Sequence, residues 1–141
     1  MSEKHHYLII ILTIIQKKKS SSIAPLLGNK YISLDDKIIL IHIWDTCGME
    51  RFGPIVDIFY KDAKGAFVVY DITDRQSFNS VGKWIDKLSD LKPIITILGN
   101  KCDLIYRKIS KDEGNKIAAK YKANFFWNIM YKQNKSRSSF E

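Results

Sequence analysis

Gly65-Ala66-Phe67-Val68-Val69-Tyr70-Asp71 and Ile94-Ile95-Thr96-Ile97-Leu98-Gly99-Asn100-Lys101-Cys102-Asp103 are two apolar runs that each end abruptly in polar residues. Side chains that are apolar at consecutive rather than alternate positions suit strands buried on both faces. Between the two runs, Phe78, Val81, Trp84, Ile85, Leu88 and Leu91 recur at three- and four-residue spacing, which predicts an amphipathic helix over 78–91. Thr73 with Gln76, or Asp74 alone, caps its start, and Pro93 closes it. Strand, helix, strand in that order argues for a parallel pair joined by a crossover.

The same alternation extends in both directions. Downstream, Ser110 and Glu113 have capping-box spacing ahead of a helix carrying Ile117, Ala118 and Tyr121, and Ala123 to Trp127 reads as a last short strand. Upstream, Leu26–Leu34 and Lys37–Trp44 are β-rich runs separated by Asp35-Asp36, a hairpin signal. Tyr7–Ile15 is Ile-rich and of strand length, far short of the roughly 20 residues a membrane helix needs. It runs into Lys17-Lys18-Lys19, which does not suit a signal peptide. The chain therefore reads as one α/β domain over residues 1–141, with a mainly parallel sheet and one antiparallel edge hairpin. Residues 132–141 form a polar tail. In such sheets ligands bind at the carboxyl ends of the strands, here after Trp44, Tyr70, Leu98 and Trp127.

Composition supports a globular protein: 45% hydrophobic and 27% charged residues in 141. The net charge is +8, from 23 Lys+Arg against 15 Asp+Glu. Apart from Lys17-Lys18-Lys19 the lysines are scattered, with no arginine-rich stripe or aromatic-basic repeat, so no nucleic-acid partner is expected. The two cysteines, Cys47 and Cys102, lack metal-ligand spacing, and a reducing cytosol is the expected setting.

Two strand ends carry motifs. After Trp44 comes Asp45-Thr46-Cys47-Gly48-Met49-Glu50-Arg51-Phe52, and after Leu98 comes Gly99-Asn100-Lys101-Cys102-Asp103-Leu104. The first resembles the Trp-Asp-Thr-Ala-Gly-Gln-Glu-Arg-Phe segment of Rab-type small GTPases. The second resembles that family's guanine-reading Asn-Lys-x-Asp. Phe59-Tyr60-Lys61-Asp62-Ala63-Lys64-Gly65 and Val69-Tyr70-Asp71-Ile72-Thr73 are also similar to it, and the likeness runs from about Ser22 to Phe126. Residues 1–21 are atypical.

The resemblance implies GTP/GDP and Mg²⁺ as ligands, held by Asp45, Thr46, Cys47, Gly48, Asn100, Lys101, Cys102 and Asp103. A carboxylate edge-on to guanine accepts from both its ring N–H and its exocyclic amine, so Asp103 would set the choice of base. Asn100 would tie neighbouring loops together, and the Lys101 stem would lie over the base. Asp45 would approach Mg²⁺, and the backbone N–H of Gly48 a γ-phosphate. By position Ser22 falls where the family has a Mg²⁺-ligating threonine, although Ser20-Ser21-Ser22 also reads as a plain polar loop. Leu27, Trp44 and Phe59 occupy the places of the apolar trio that Rab effectors read. The resemblance further implies a cytoplasmic protein, peripheral on endomembranes, with a role in vesicle traffic.

The pattern also breaks. The family's phosphate-binding Gly-x-x-x-x-Gly-Lys-Ser/Thr is not in this sequence: the single Gly-Lys pair is Gly82-Lys83, inside the 78–91 helix. Losing the charge-assisted hydrogen bonds of such a loop costs about 10 kcal/mol, roughly seven decades of affinity. Met49 stands where the family has its catalytic, water-positioning glutamine, and a thioether cannot orient a water. No residue is therefore assigned a catalytic role, and weak or absent nucleotide binding is expected. The tail Ser138-Ser139-Phe140-Glu141 lacks a cysteine for prenylation, so prenyl anchoring is not expected. An incomplete small-GTPase fold follows, with the family's first and last helices missing. Since both cover one face of the sheet, about 1,000 Å² of apolar surface should be bare there, or covered by a partner. A nucleotide-free interaction module and a non-functional fragment are the alternatives.

Overall fold

Strand β1 (Lys4–Thr13) lies between β3 (Lys37–Asp45) and β4 (Ala63–Asp71), parallel to both. This places it in the middle of a six-stranded sheet of order β2-β3-β1-β4-β5-β6. The remaining strands are β2 (Leu26–Leu34), β5 (Ile94–Asn100) and β6 (Asn124–Ile129). Every neighbouring pair is parallel except β2–β3, an antiparallel hairpin whose register closes at Leu34 opposite Lys37. The computed structural model describes residues 4–13, 26–34, 37–45 and 62–129. The expected α/β fold with an antiparallel edge hairpin is what forms. The described part of the first strand begins at Lys4, three residues before the expected Tyr7, and the expected residues 14–15 lie outside the described residues.

The helices among the described residues all lie in the β4–β5 and β5–β6 crossovers: α1 (Arg75–Asn79), α2 (Val81–Leu88) and α3 (Lys111–Tyr121). The single helix expected over 78–91 is instead α1, α2 and a 3₁₀ turn over Ser89–Leu91. The break falls at Ser80, whose N–H is shared between the Gln76 and Ser77 carbonyls, each at 3.2 Å, while its hydroxyl also donates to the Gln76 carbonyl at 3.0 Å. Asp74, not Thr73, is the cap: its side chain accepts from the Gln76 N–H at 2.9 Å. Lys92 then turns left-handed ahead of Pro93.

These helices cover one sheet face. Ala66, Val68 and Tyr70 of β4 and Ile97 of β5 pack against Val81, Ile85, Leu88, Ile109 and Ala118. Burying Val81, Ile85 and Leu88 stabilises the domain by about 1.5–3 kcal/mol each. Tyr70 is fully buried, its ring edge-on to Phe78 with centroids 5.0 Å apart. Burial, then the nearby Cys102 and Glu113, pushes its phenol well above the usual range.

Alternation and register place Val69, Thr96, Leu98 and Phe126 on the other face. That face is not uniformly bare, as the sequence led us to expect. Val69 and Thr96 are buried, 7% and 8% exposed, whereas Phe126 is 60% exposed and Ile94 71%. Among the described residues of β4, β5 and β6, the large apolar side chains exposed on that face are Ile94 and Phe126. Among the described residues no helix is long and apolar enough to cross a membrane, and no cluster of three or more His, Cys, Asp or Glu could hold a metal ion.

One tie joins the two crossovers. Arg75, at the start of α1, donates to the Glu113 carboxylate and to the Lys108 carbonyl. Glu113 also completes the expected capping box, accepting from the Ser110 N–H at 2.8 Å while its own N–H donates to the Ser110 hydroxyl at 3.2 Å. The Arg75 guanidinium, with the Ser110 donors, lowers the Glu113 carboxyl from its ordinary 4.5 to about 2. A folded-state pKa below the unfolded value stabilises the fold above the unfolded pKa. Wild type should therefore be more stable than Glu113→Gln above pH 4.5, and that advantage should shrink as the pH falls toward 2. Chemical denaturation across this window measures it.

Gly114 permits the closest approach of α3 to the sheet. A Cβ there would lie 2.2 Å from Cζ of Phe125 and 2.9 Å from the Tyr70 hydroxyl. Alanine in mid-helix gains about 1 kcal/mol over glycine in propensity, and overpacking costs about 1–3 kcal/mol. Gly114→Ala is expected to be destabilising on balance, read as a lower denaturation midpoint.

Candidate guanine-base site

The carboxyl ends of β4 and β5 meet in register, Asp71 opposite Asn100. β4 is apolar up to Tyr70, and the first residue that can leave the core is Asp71. Its side chain nevertheless stays buried. Oδ1 accepts from the Thr73 N–H at 2.8 Å and from the Thr73 hydroxyl at 2.7 Å. Oδ2 meets the Lys101 ammonium at 2.5 Å. Burial pushes the carboxyl up, but Lys101 and Thr73 together outweigh it and hold it below the usual carboxylate range. The backbone N–H of Asp71 donates to the Ser77 hydroxyl at 3.0 Å, fastening α1 to the strand end.

From Asn100 the chain makes a tight turn. The Asn100 side chain accepts from the Lys101 N–H at 2.8 Å, and the Asn100 carbonyl accepts from the Ile72 N–H at 3.1 Å. The backbone carbonyl thus joins the end of β5 to the turn after β4, while the Asn100 side chain bonds within its own turn. Lys101 has φ 63, in the left-handed region. Such a conformation costs a lysine about 1–2 kcal/mol and persists only where the surroundings fix it. Of the three left-handed lysines, Lys92 and Lys122 terminate helical turns, where the conformation is common. Lys101 terminates none. It is fixed by three bonds: its N–H to Asn100, its ammonium to Asp71, and its carbonyl to the Leu104 N–H at 3.0 Å.

The rest of the turn is divided between core and solvent. Cys102 is buried, its thiol donating to the Gly99 carbonyl at 3.4 Å. Arg107 donates to the Cys102 carbonyl at 3.0 Å. Asp103 is exposed, and no described residue pairs with its carboxylate. The arrangement presents a carboxylate with two free acceptor oxygens beside a fixed lysine stem, a donor set that fits a flat heterocycle with two adjacent N–H groups.

Asp45 ends β3, opposite Ile11 of β1 and Leu26 of β2, and is half-buried. It stands three strands from β5, about 14 Å across the sheet. Asp45 and Asp103 would thus serve opposite ends of an extended ligand. Leu27 and Trp44 lie opposite each other in the β2–β3 register, so two of the expected effector-reading trio are brought together. Ser22, Thr46, Cys47, Gly48, Met49 and Phe59 lie outside the described residues.

Sequence reading overlooked three residues here. Asp71 was a strand terminus and Thr73 a candidate cap, whereas the two form one buried network under Lys101. The signal available was an acid closing an apolar strand, with a threonine two residues on, the pattern of an Asx-type turn. Arg107 gave no local signal, because its bond to the Cys102 carbonyl depends on how the loop folds back.

The Ras-family model matches residues 11–140. Ras-related protein RGP2 of Oryza sativa subsp. japonica is 42% identical over 103 residues, covering 70% of this chain and 48% of that protein. GTP-binding protein ypt3 of Schizosaccharomyces pombe is 39% identical over 108 residues, 74% of this chain and 50% of that protein. Ras-related protein Rab-11B of Dictyostelium discoideum is 36% identical over 123 residues, 84% of this chain and 56% of that protein. The chain spans about half the length of the curated relatives it matches. With its strand order, its Asn100–Asp103 turn and these matches in agreement, the chain belongs to the Ras family, as a Rab-type small GTPase.

Proposed function

We propose that this protein recognises guanine nucleotides through the base, with phosphate binding weakened and hydrolysis impaired, in a Rab-like role in vesicle traffic. The observation that carries the reading is the Asn100–Asp103 turn, held in a strained geometry with Asp103 presented to solvent. That end of the site fits guanine. The phosphate end does not fit as well: the sequence holds no Gly-x-x-x-x-Gly-Lys-Ser/Thr, and Met49 replaces the water-positioning glutamine. When bound, Mg²⁺ supplies charge neutralisation at the phosphates. Asp45, with Ser22 by position, is the residue set proposed to hold it, and Thr46, Cys47 and Gly48 the backbone beside the phosphates. Asp103 accepts from the base, Asn100 and Lys101 set the turn, and Cys102 anchors it to the core.

The partners proposed are effectors and regulators of the Rab type, read through Leu27, Trp44 and Phe59. The expected place of action is the cytoplasmic surface of endomembranes, bound peripherally.

Titration with fluorescent GTP and GDP, with and without Mg²⁺ and against ATP, tests the reading. Binding weaker than micromolar with guanine preferred over adenine is the expected result, and Asp103→Asn should erase most of that preference. Submicromolar GTP affinity would show the phosphate end to be intact. Absence of any base preference would favour an interaction module that works without nucleotide.

A further inference from the structure

Asp71 is the most enclosed charged side chain described near the turn, yet it does not face the place where a base would lie. We infer that Asp71 is a positioning residue for the base subsite, acting through Lys101 to hold the Asn100–Asp103 turn in its base-reading geometry. The inference rests on the guanine reading proposed above and extends it to a residue on a different strand.

Three observations carry it. Lys101 is left-handed with no helix end to account for it, so something must hold it there. The only charged group on its ammonium among the described residues is Asp71, at 2.5 Å. Asp71 is itself immobilised: Thr73 occupies its other oxygen twice, and Ser77 fastens its backbone through bonds to N–H and carbonyl. A buried carboxylate with both oxygens bonded is a rigid anchor, whereas a solvated one is not. The exposures agree with this division of labour. The Asp71 side chain is 7% exposed and that of Lys101 41%, so the lysine reaches from a core anchor to the surface where its stem can flank a ligand. Its carbonyl holds Leu104 and its amide holds Asn100, so displacing Lys101 displaces both sides of the turn, Asp103 included.

The test pairs amide hydrogen exchange with nucleoside titration on the full chain. Asp71→Asn keeps the shape and an acceptor for Thr73 but removes the charge facing Lys101. Lys101→Met removes the other partner at a half-exposed site and serves if the first variant fails to fold. In each variant the Leu104 amide should exchange about tenfold faster or more, while the Ala123 amide, bonded to Ala118 at the far end of α3, keeps its rate. Combining the two substitutions should add nothing further, because both break one linkage. Guanosine, which lacks phosphates, probes the base subsite alone. Wild type should prefer guanosine to adenosine, and both variants should lose that preference to the same extent.

Unchanged Leu104 exchange, uniform acceleration of every amide, or additive effects in the double variant would each overturn the positioning role. A wild-type preference that survives Asp71→Asn would overturn it while leaving guanine recognition standing. A wild type indifferent between the two nucleosides would overturn the guanine reading and this inference with it.

Discussion

Asp71 ties together the end of β4, the end of β5, the turn that follows β4 and the Lys101 turn. It ends β4, pairs in register with the end of β5, receives the first turn after β4 through Thr73, and neutralises Lys101. A buried carboxylate is costly unless each oxygen is bonded, so the network is tolerated only when all its members are in place. Asp71 therefore specifies one arrangement of the strand ends. The helical layer, fastened to the same residue through Ser77, inherits that arrangement.

The two ends of the site rest on different physics. The base end is built from side chains and one strained backbone position at the edge of a well-packed crossover. The phosphate end in this family depends on convergent backbone N–H groups, which only glycine-rich sequence provides. Changes in one end can accumulate without unfolding the other, because about 14 Å of sheet separates Asp45 from the Asn100 turn. An altered nucleotide cycle is thus compatible with a preserved base-reading turn and a preserved β2–β3 hairpin carrying Leu27 and Trp44.

Much of this was legible in the sequence. Strands β2 and β3 fall where alternation and Asp35-Asp36 place them, β4 and β5 where consecutive apolar residues do, and the Ser110–Glu113 box marks the start of α3. What failed was local competition. Ser80 looked like an ordinary helical residue, yet its N–H is shared between the Gln76 and Ser77 carbonyls where α1 gives way to α2. Thr73 and Asp74 were equal candidates for the cap until the pull of the buried Asp71 removed Thr73. At the site, Asn100, Lys101, Cys102 and Asp103 were legible as a motif. The role of Asp71 was not, because it depends on a strand register that no single stretch of sequence encodes. Likewise the cover over Val69 and Thr96 could not be read from strand hydropathy, which says that a face is apolar but not what lies on it.

The central place of β1 has a consequence for how the chain is made. Lys4–Thr13 is synthesised before both of its neighbours, β3, ending at Asp45, and β4, ending at Asp71. Both pairings are parallel and non-local, the slowest kind of contact to close. An Ile-rich segment must wait for about thirty further residues before β3 can pair with one edge and for nearly sixty before β4 can pair with the other, several seconds at ordinary elongation rates. During that interval its backbone is a template for any other exposed strand.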